Sequence, residues 1–343
     1  MNNNTTLIYP VTLNNGFIVN NFIRNLKSSQ YILATFSGSG LNGKTFKDAY
    51  NREFNNSCII KNYNADMIKK TKRIILLDCG EYYLKNEVYN EFISLAKTLG
   101  KDIAIDYFHP NNMNNEVTKQ FNVFKSIDVP VVGIASLFPS QDSINIIYHL
   151  TQILENKGYS VMSYSADSNS QLINIKNYPI DIFNNLYRSD ELILKLNNMI
   201  NIDIKDNLPD IIFLDLPDGI VKVNDLLLNN FGVFSNIIHN AIPHDYLLYF
   251  LPLNYHDQAI IENYSSDIKN ILGNKPNQIL QSNIIVEMIN GFSLKNDLPK
   301  VYDYYKYNQI IYEKEQIIVK GEYSLYLKEI IHDILNCFGG CEE

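Results

Sequence analysis

Residues 129–136 read VPVVGIAS, a short apolar run rich in valine that predicts a buried β-strand. The segment SINIIYHLTQILENKG (143–158) follows with helical spacing and ends at a glycine, as helices commonly do. YSVMSYSAD (159–167) and PDIIFLDLPDG (209–219) predict two further strands. Because buried strands alternate with helices, this region predicts βαβ units and a mainly parallel sheet.

The first third of the chain repeats this alternation. Helical patterns at 16–26 and 88–100 lie among strand-like runs at 7–11, 31–36, 58–63, 73–79 and 102–108. The Asn-rich stretch 109–126 is polar and predicts a connector. We therefore predict an α/β protein of two Rossmann-like domains with mainly parallel sheets, residues 1–125 and residues 128–343, the second with a C-terminal extension.

The composition restricts the classes of function. The chain has 343 residues, 46% hydrophobic and 19% charged, so we expect a large core. The net charge is −8 and no basic stripe is visible, which argues against a nucleic-acid partner. No apolar run approaches the roughly 18 residues of a membrane span, and the N-terminus lacks a signal-peptide pattern. We expect a cytoplasmic protein without a membrane partner, with Cys58 and Cys79 as buried thiols.

The loop SGSGLNGKT (37–45) matches the phosphate-binding motif G-x-x-x-x-G-K-T. In a working site, backbone N–H groups surround the phosphates, the lysine meets the outer phosphate oxygens and the threonine holds Mg²⁺. The cofactor that this pattern implies is a nucleotide with Mg²⁺, and the alternative is a glycine-rich turn with a solvated lysine. The candidate ligand-binding residues here are Gly38, Gly40, Gly43, Lys44 and Thr45, together with Asp78, which could orient water on the metal.

The order of elements from 129 to 219 is similar to a P-loop domain of the MinD/dethiobiotin-synthetase type. The last strand ends in D-x-P-x-G, and the resemblance implies that Asp215 bonds the metal shell and Gly219 faces the γ-phosphate. The loop SLFPSQDS (136–143), however, has no glycine and no lysine. Asp142 stands where the lysine should be and would repel phosphate, while Pro139 removes an N–H donor.

We therefore interpret the second domain as a degenerate P-loop-NTPase-like fold. Asp142 is better explained as a helix N-cap. Asp215 and Gly219 remain a second pair of candidate ligand-binding residues, with a purely structural sheet edge as the alternative.

The remaining histidines and cysteines give weaker signals. His332, Cys337 and Cys341 could supply three soft ligands, but one short cluster lacks the paired spacing of a zinc site, so we predict no metal. His239 and His244 are interpreted as isolated surface or core residues.

Seven segments carry a resemblance to a known family. They are LIYP (7–10), GSGLNGK (38–44), VPVVGIAS (129–136), NKGYSV (156–161), PDIIFLDLPDGI (209–220), NNFGVFSNIIHNAIPHDY (229–246) and QSN (281–283). Together they resemble an accessory protein family of clostridial-type peptide maturation systems. That family is encoded beside a ribosomally made bacteriocin-like precursor and a radical-SAM peptide maturase. Its first-domain loop is G-x-G-x-x-G-K followed by an acidic residue, where this chain has Thr45. Its second-domain loop carries an Asp near the position of Asp142.

The resemblance implies a role in peptide natural-product maturation and supplies no catalytic residues. We therefore expect a non-catalytic accessory protein that binds the precursor peptide, the radical-SAM maturase or a small ligand. The alternatives are a P-loop ATPase or GTPase that uses the loop Gly38–Thr45, and a purely structural scaffold.

Overall fold

The structure is a computed structural model of the chain. It describes residues 5–12, 14–25, 31–50, 58–78, 87–106, 123–138, 142–179, 188–223, 228–252, 254–255, 257–281, 284–290, 297–303 and 323–339. The chain forms two compact units. Unit 1 comprises Met1–Val117 and the segment Asp167–Ile173, and unit 2 comprises Thr118–Ala166 and Asn174–Glu343.

Unit 1 contains a five-stranded sheet of order β3-β2-β1-β4-β5, in which every paired strand is parallel. A 3-10 helix at Ser168–Ile173 packs against α1. The elements are β1 Thr6–Tyr9, α1 Gly16–Asn25, β2 Tyr31–Thr35, α2 Phe46–Tyr50, β3 Lys61–Asn62, α3 Ala65–Lys70, β4 Arg73–Leu76, α4 Glu87–Thr98 and β5 Asp102–Asp106.

The core of unit 1 follows from the apolar spacing of its elements. Leu7 and Leu76 in the central strands are fully buried, and Phe92 and Ala96, one helical turn apart on α4, cover the same face of the sheet. The ring of Tyr9 stacks on Phe92 with 4.7 Å between centroids. The strand order places the topological switch point of this sheet between β1 and β4, where the direction of winding reverses.

Unit 2 contains a six-stranded sheet of order β11-β10-β6-β9-β7-β8, again with parallel pairs throughout. β12 and β13 form a separate antiparallel pair. The elements are β6 Val131–Ser136, α5 Asp142–Asn156, β7 Val161–Ser165, β8 Lys176–Asn177, α6 Ser189–Asn207, β9 Ile211–Leu216, α7 Val233–Ala241, β10 Tyr246–Leu251, α8 Gln258–Leu272, β11 Gln278–Gln281, β12 Ile284–Asn290, β13 Asp297–Asp303 and α9 Tyr323–Cys337.

The central strands of unit 2 are buried along their whole length. Every residue of β6, β9 and β10 is buried, which explains why these strands read as continuous apolar runs instead of alternating patterns. The predicted α/β class with parallel sheets is confirmed. Of the helices that the structure describes, none is long and apolar enough to cross a membrane.

Candidate functional site

Three polar residues and a glycine meet at the carboxyl ends of β6, β7 and β9 in unit 2. Ser165 ends β7, Asp215 lies at the end of β9, and Ser143 is the second residue of α5, which follows β6. All three are buried, as is Gly219 in the turn after β9. We call these four residues the edge site, because ligands of open parallel sheets bind outside the carboxyl ends of the strands.

The carboxylate of Asp215 is held by hydroxyl and amide donors. The Ser165 hydroxyl donates to Asp215 Oδ2 over 2.6 Å, and the Ser143 hydroxyl and the Ala166 N–H donate to the same carboxylate. Burial raises the pKa of Asp215 above its usual range, and these three hydrogen bonds oppose that shift. The Tyr178 hydroxyl donates to the Asp215 carbonyl over 3.0 Å. The acid is therefore fixed in place by the protein itself.

Ser143 occupies the position of the loop serine or threonine in a P-loop. In P-loop enzymes that residue and a strand-end Asp hold Mg²⁺ between them. Here the Ser143 hydroxyl bonds Asp215 directly. α5 begins at Asp142, and the side chain of Asp142, like residue Pro139, lies outside the described part of the chain. The segment 136–143 contains no lysine to meet a phosphate.

The described beginning of this loop is already occupied by internal hydrogen bonds. The Leu137 N–H donates to the Phe250 carbonyl over 2.9 Å, and the Leu137 carbonyl accepts from Asn229 Nδ2 over 2.9 Å. Ser136 donates its hydroxyl to the Phe138 carbonyl over 2.6 Å. The Leu137 N–H and the Leu137 and Phe138 carbonyls are therefore engaged within the protein.

Gly219 is required by the geometry of the turn after β9. Asp218, Gly219 and Ile220 all have left-handed backbone, with φ of 61°, 68° and 61°. A Cβ at Gly219 would lie 2.4 Å from the Leu137 carbonyl oxygen and 2.4 Å from Asn229 Nδ2. The P-loop resemblance places Gly219 against a γ-phosphate. In the structure, Gly219 is instead packed against Leu137, at the start of the loop 136–143.

A second left-handed segment, Asn229–Gly232, supports this turn, with φ between 46° and 69° at all four residues. Left-handed backbone costs about 1–3 kcal/mol at each non-glycine residue and persists only where the surroundings fix it. Asn229 Nδ2 donates to the Val221 carbonyl over 2.7 Å as well as to Leu137, and Asn230 Nδ2 donates to Asp218 Oδ2 over 2.8 Å. Nothing in the local sequence predicted this segment.

Three backbone N–H groups of the glycine loop in unit 1 donate to carbonyls of the protein. The Ser39 N–H donates to the Phe36 carbonyl over 3.3 Å, and the Gly43 N–H to the Ile60 carbonyl over 2.8 Å. The Lys44 N–H donates to the Leu41 carbonyl over 3.1 Å. Gly38, Gly40 and Gly43 have positive φ, a conformation that glycine adopts readily. The side chain of Lys44 is exposed.

Thr45 caps the five-residue helix α2. Its hydroxyl accepts from the Asp48 N–H over 3.2 Å and donates to the Asp48 carboxylate over 2.7 Å, a reciprocal capping arrangement. Asp78 follows β4, whereas the loop follows β2, and β1 lies between these strands. Thr45 and Asp78 therefore follow strands that are not neighbours in the sheet, and nucleotide binding at this loop stays a prediction.

Asp78 lies at the switch point of unit 1, but the segment Asp167–Ile173 meets it there. The Ser168 hydroxyl donates to the Asp78 carboxylate over 2.6 Å. The Asn169 side-chain amide pairs with the Asp78 backbone, accepting its N–H over 2.8 Å and donating to its carbonyl over 3.0 Å. Asn169 is buried, so this contact completes the fold of unit 1 instead of leaving an open crevice.

The interpretation of His239 and His244 as isolated residues is wrong. Their Nδ1 atoms lie 2.8 Å apart, and His244 is buried with its Nε2 atom lacking a hydrogen-bond partner. The spacing of five residues across the end of α7 holds no local signal for this pairing. Cys58 is half-buried, not fully buried, and Cys79 lies outside the described residues.

The C-terminal cluster gives no metal site within the described chain. His332 and Cys337 are exposed on α9, and Cys341 lies outside the described residues. Among the residues that the structure describes, no three histidine, cysteine or acidic side chains are grouped to hold a metal ion.

Comparison with known proteins gives a likeness of fold. No protein-family model and no curated protein sequence matches the chain. The structure is similar to a DUF1611 family protein from Anabaena variabilis, with a TM-score of 0.51 and 8% identity over 81% of this chain and 88% of that one. At this identity the likeness concerns the fold alone.

Two other solved structures match more loosely. A pseudomurein peptide ligase type C from Methanothermus fervidus has a TM-score of 0.28 and 12% identity over 81% of this chain and 44% of the ligase. The signal recognition particle 54 kDa protein from Aeropyrum pernix, in complex with GDP, has a TM-score of 0.31 and 9% identity over 63% of this chain and 51% of that chain. These TM-scores are too low to support an argument.

Proposed function

We propose that the protein is a non-catalytic accessory protein in the maturation of a ribosomally synthesised, bacteriocin-like peptide. It acts in the cytoplasm beside a radical-SAM maturase and binds the precursor peptide, the maturase or both. The resemblance of its segments to the accessory family of such systems is the reason for naming the pathway. The geometry of the edge site is the reason for making the role non-catalytic.

One observation supports the non-catalytic assignment: the Asp215 carboxylate already accepts three hydrogen bonds from the protein. Ser143, which would hold Mg²⁺ in a P-loop enzyme, donates to Asp215 instead. To bind a metal here, the site would have to break this hydrogen bond, and the loop from 136 to 143 has no lysine to neutralise phosphate charge. Phosphoryl transfer depends on such positioning and charge stabilisation, so hydrolysis lacks its main supports.

The decisive experiment is genetic. The gene is deleted in the native producer, and the mass and yield of the processed peptide are measured by liquid chromatography and mass spectrometry. We expect unprocessed or under-processed precursor, with full rescue by the wild-type gene and by the Lys44→Ala variant, because neither hydrolysis nor the Lys44 ammonium is needed. A processed peptide of unchanged mass and yield in the deletion strain would refute the proposal.

A further inference from the structure

A cleft in unit 1 lies beside β2, and its lining includes neither a glycine-loop residue nor Asp78. Its volume is about 490 Å³, within the range of protein ligand pockets. It is lined by the first half of β2, by the residues that lead into β3, and by α3. The cleft is open to solvent along one side, as Ile59 on its rim is 50% exposed.

The cleft exists because the chain before β3 turns away from β2. β3 pairs only with Ala34 and Thr35. The preceding residues pair with the glycine loop instead: the Ile60 N–H donates to the Lys44 carbonyl over 2.9 Å, and Ile59 bridges to Thr45. The stretch of β2 before Ala34 therefore borders a cleft where a neighbouring strand would otherwise continue.

The cleft is lined by apolar side chains and by two positively charged lysines. Ile32 and Met67, which pack on the same core cluster, supply an apolar floor, and the side chains of Lys61 and Lys70 stand at the exposed margin. Neither lysine forms an ion pair with a described residue. By contrast, Lys69, which precedes Lys70 on α3, pairs with Asp66 over 3.1 Å. Such a surface complements a ligand that is apolar on one side and anionic on the other.

We propose that this cleft binds a short, extended segment of the precursor peptide in which acidic and apolar side chains alternate. Successive side chains of an extended chain point to opposite sides, so one set meets the apolar floor and the other meets the ammonium groups of Lys61 and Lys70. A position along a strand edge favours an extended peptide, as in recognition by strand addition. This assignment rests on the proposed function, which supplies a peptide partner.

Binding is measured by fluorescence anisotropy with a labelled acetyl-Leu-Glu-Leu-Glu-Leu peptide and the same peptide with Gln in place of Glu. We expect the acidic peptide to bind more tightly, with an affinity that falls as salt is added. Lys61→Gln and Lys70→Gln should each weaken binding by about twofold to fivefold, the range for an exposed ion pair. Lys69→Gln is the matched control, because Lys69 lies outside the cleft lining, and it should leave the affinity unchanged.

Cys58 in the cleft lining gives a second readout that needs no substitution. The protein is alkylated with iodoacetamide with and without acidic peptide, and the labelled cysteines are quantified by peptide mass spectrometry. The peptide should slow labelling of Cys58 and leave labelling of Cys337, exposed on α9, unchanged. An unchanged rate at Cys58 with saturating peptide, or equal affinity for the Glu and Gln peptides, would overturn the proposal. So would protection by decanoate alone, since that assigns the cleft to small carboxylates.

The failure of this proposal and the failure of the proposed function can be told apart. If gene deletion abolishes processing but the chromosomal double variant Lys61→Glu/Lys70→Glu processes normally at wild-type protein level, the accessory function stands and the cleft assignment falls. If the acidic peptide binds as described but deletion leaves the processed peptide unchanged, the cleft assignment stands and the accessory function falls.

Discussion

The paired histidines of unit 2, His239 half-buried and His244 buried, predict a stability that depends on pH. The pKa of His239 is lowered by burial and partly restored by a hydrogen bond with the Leu272 carbonyl. Since His239 Nδ1 faces His244 Nδ1, the ring nitrogen of His239 that donates to Leu272 is Nε2. His239 Nδ1 is then an acceptor, and His244 donates to it from its own Nδ1. This tautomer leaves His244 Nε2 as a buried lone pair without a partner.

Protonation of His244 would place a charge in an apolar site. Burial, and after it the charge of His239, lowers the pKa of His244 from 6.5 to about 3. A Cβ on Gly133 would lie 3.2 Å from His244 Cγ and 3.1 Å from Leu216 Cδ1, so the ring is packed tightly over β6. Because the unfolded chain takes up this proton first, the neutral ring contributes its full stability above pH 6.5 and loses it as the pH falls toward 3.

The expected loss follows from the difference in pKa. At 1.36 kcal/mol per unit, acidification from pH 7 to pH 5 removes about 2 kcal/mol through His244, and His239 acts in the same direction. The free energy of unfolding is measured by urea titration with tyrosine fluorescence and circular dichroism at both pH values. His244→Asn keeps a donor toward His239 but does not titrate, so it should lose about 2 kcal/mol less than the wild type over this interval.

His332→Asn is the control for the loss of a histidine, because His332 is exposed on α9. It should show the same loss of stability as the wild type between pH 7 and pH 5. If the wild type and His244→Asn lose equal amounts of stability, the histidine pair does not control the acid response, and the reasoning fails.

Three further predictions concern the edge site and the glycine loop. Gly219→Ala should cost about 3 kcal/mol or more in urea unfolding, whereas Gly158→Ala, with positive φ but no atom within 4 Å, should cost about 1 kcal/mol; equal costs would contradict the packing argument. Ser165→Ala should lower the free energy of unfolding by about 1–3 kcal/mol and raise the pKa of Asp215 further. The variant should therefore lose more stability than the wild type as the pH rises and Asp215 deprotonates. An unchanged free energy of unfolding would show that this hydrogen bond does not stabilise the protein. Calorimetry should detect no Mg²⁺-dependent binding of ATP or GTP with a Kd below about 1 mM, which corresponds to a binding free energy of about −4 kcal/mol. Binding with a submillimolar Kd that is lost in Lys44→Ala would contradict this.

The strands of both sheets could be predicted because parallel strands bury both faces. Runs such as RIILLDC and PDIIFLDLPDG are apolar at almost every position, and they became β4 and β9. α8 was missed although its signals are present in the chain. Asp257 caps its N-terminus by accepting from the Ala259 N–H over 2.8 Å, and Gly273 ends it with left-handed backbone.

The edge site could be predicted only in part, because its contacts join residues far apart in the chain. Asp215 and Gly219 carried a motif, and Ser143 could have been inferred as the residue after Asp142 in the P-loop alignment. Ser165 and Asn229 had no such signal. Asn229 reaches a carbonyl 92 residues away, and a hydrogen bond of that separation leaves no periodic pattern in the local sequence.

The loop SGSGLNGKT matches a phosphate-binding motif, but a sequence match alone does not make a binding site. A phosphate cradle needs several backbone N–H groups that point at one anion without another partner. In this loop the Gly43 and Lys44 N–H groups already donate to Ile60 and Leu41, and the Thr45 hydroxyl is engaged with Asp48. Binding a phosphate would exchange these bonds for new ones at little net gain. The same hydrogen bonds with Ile60 fix the backbone between Ile59 and Lys61, two residues that line the proposed peptide cleft.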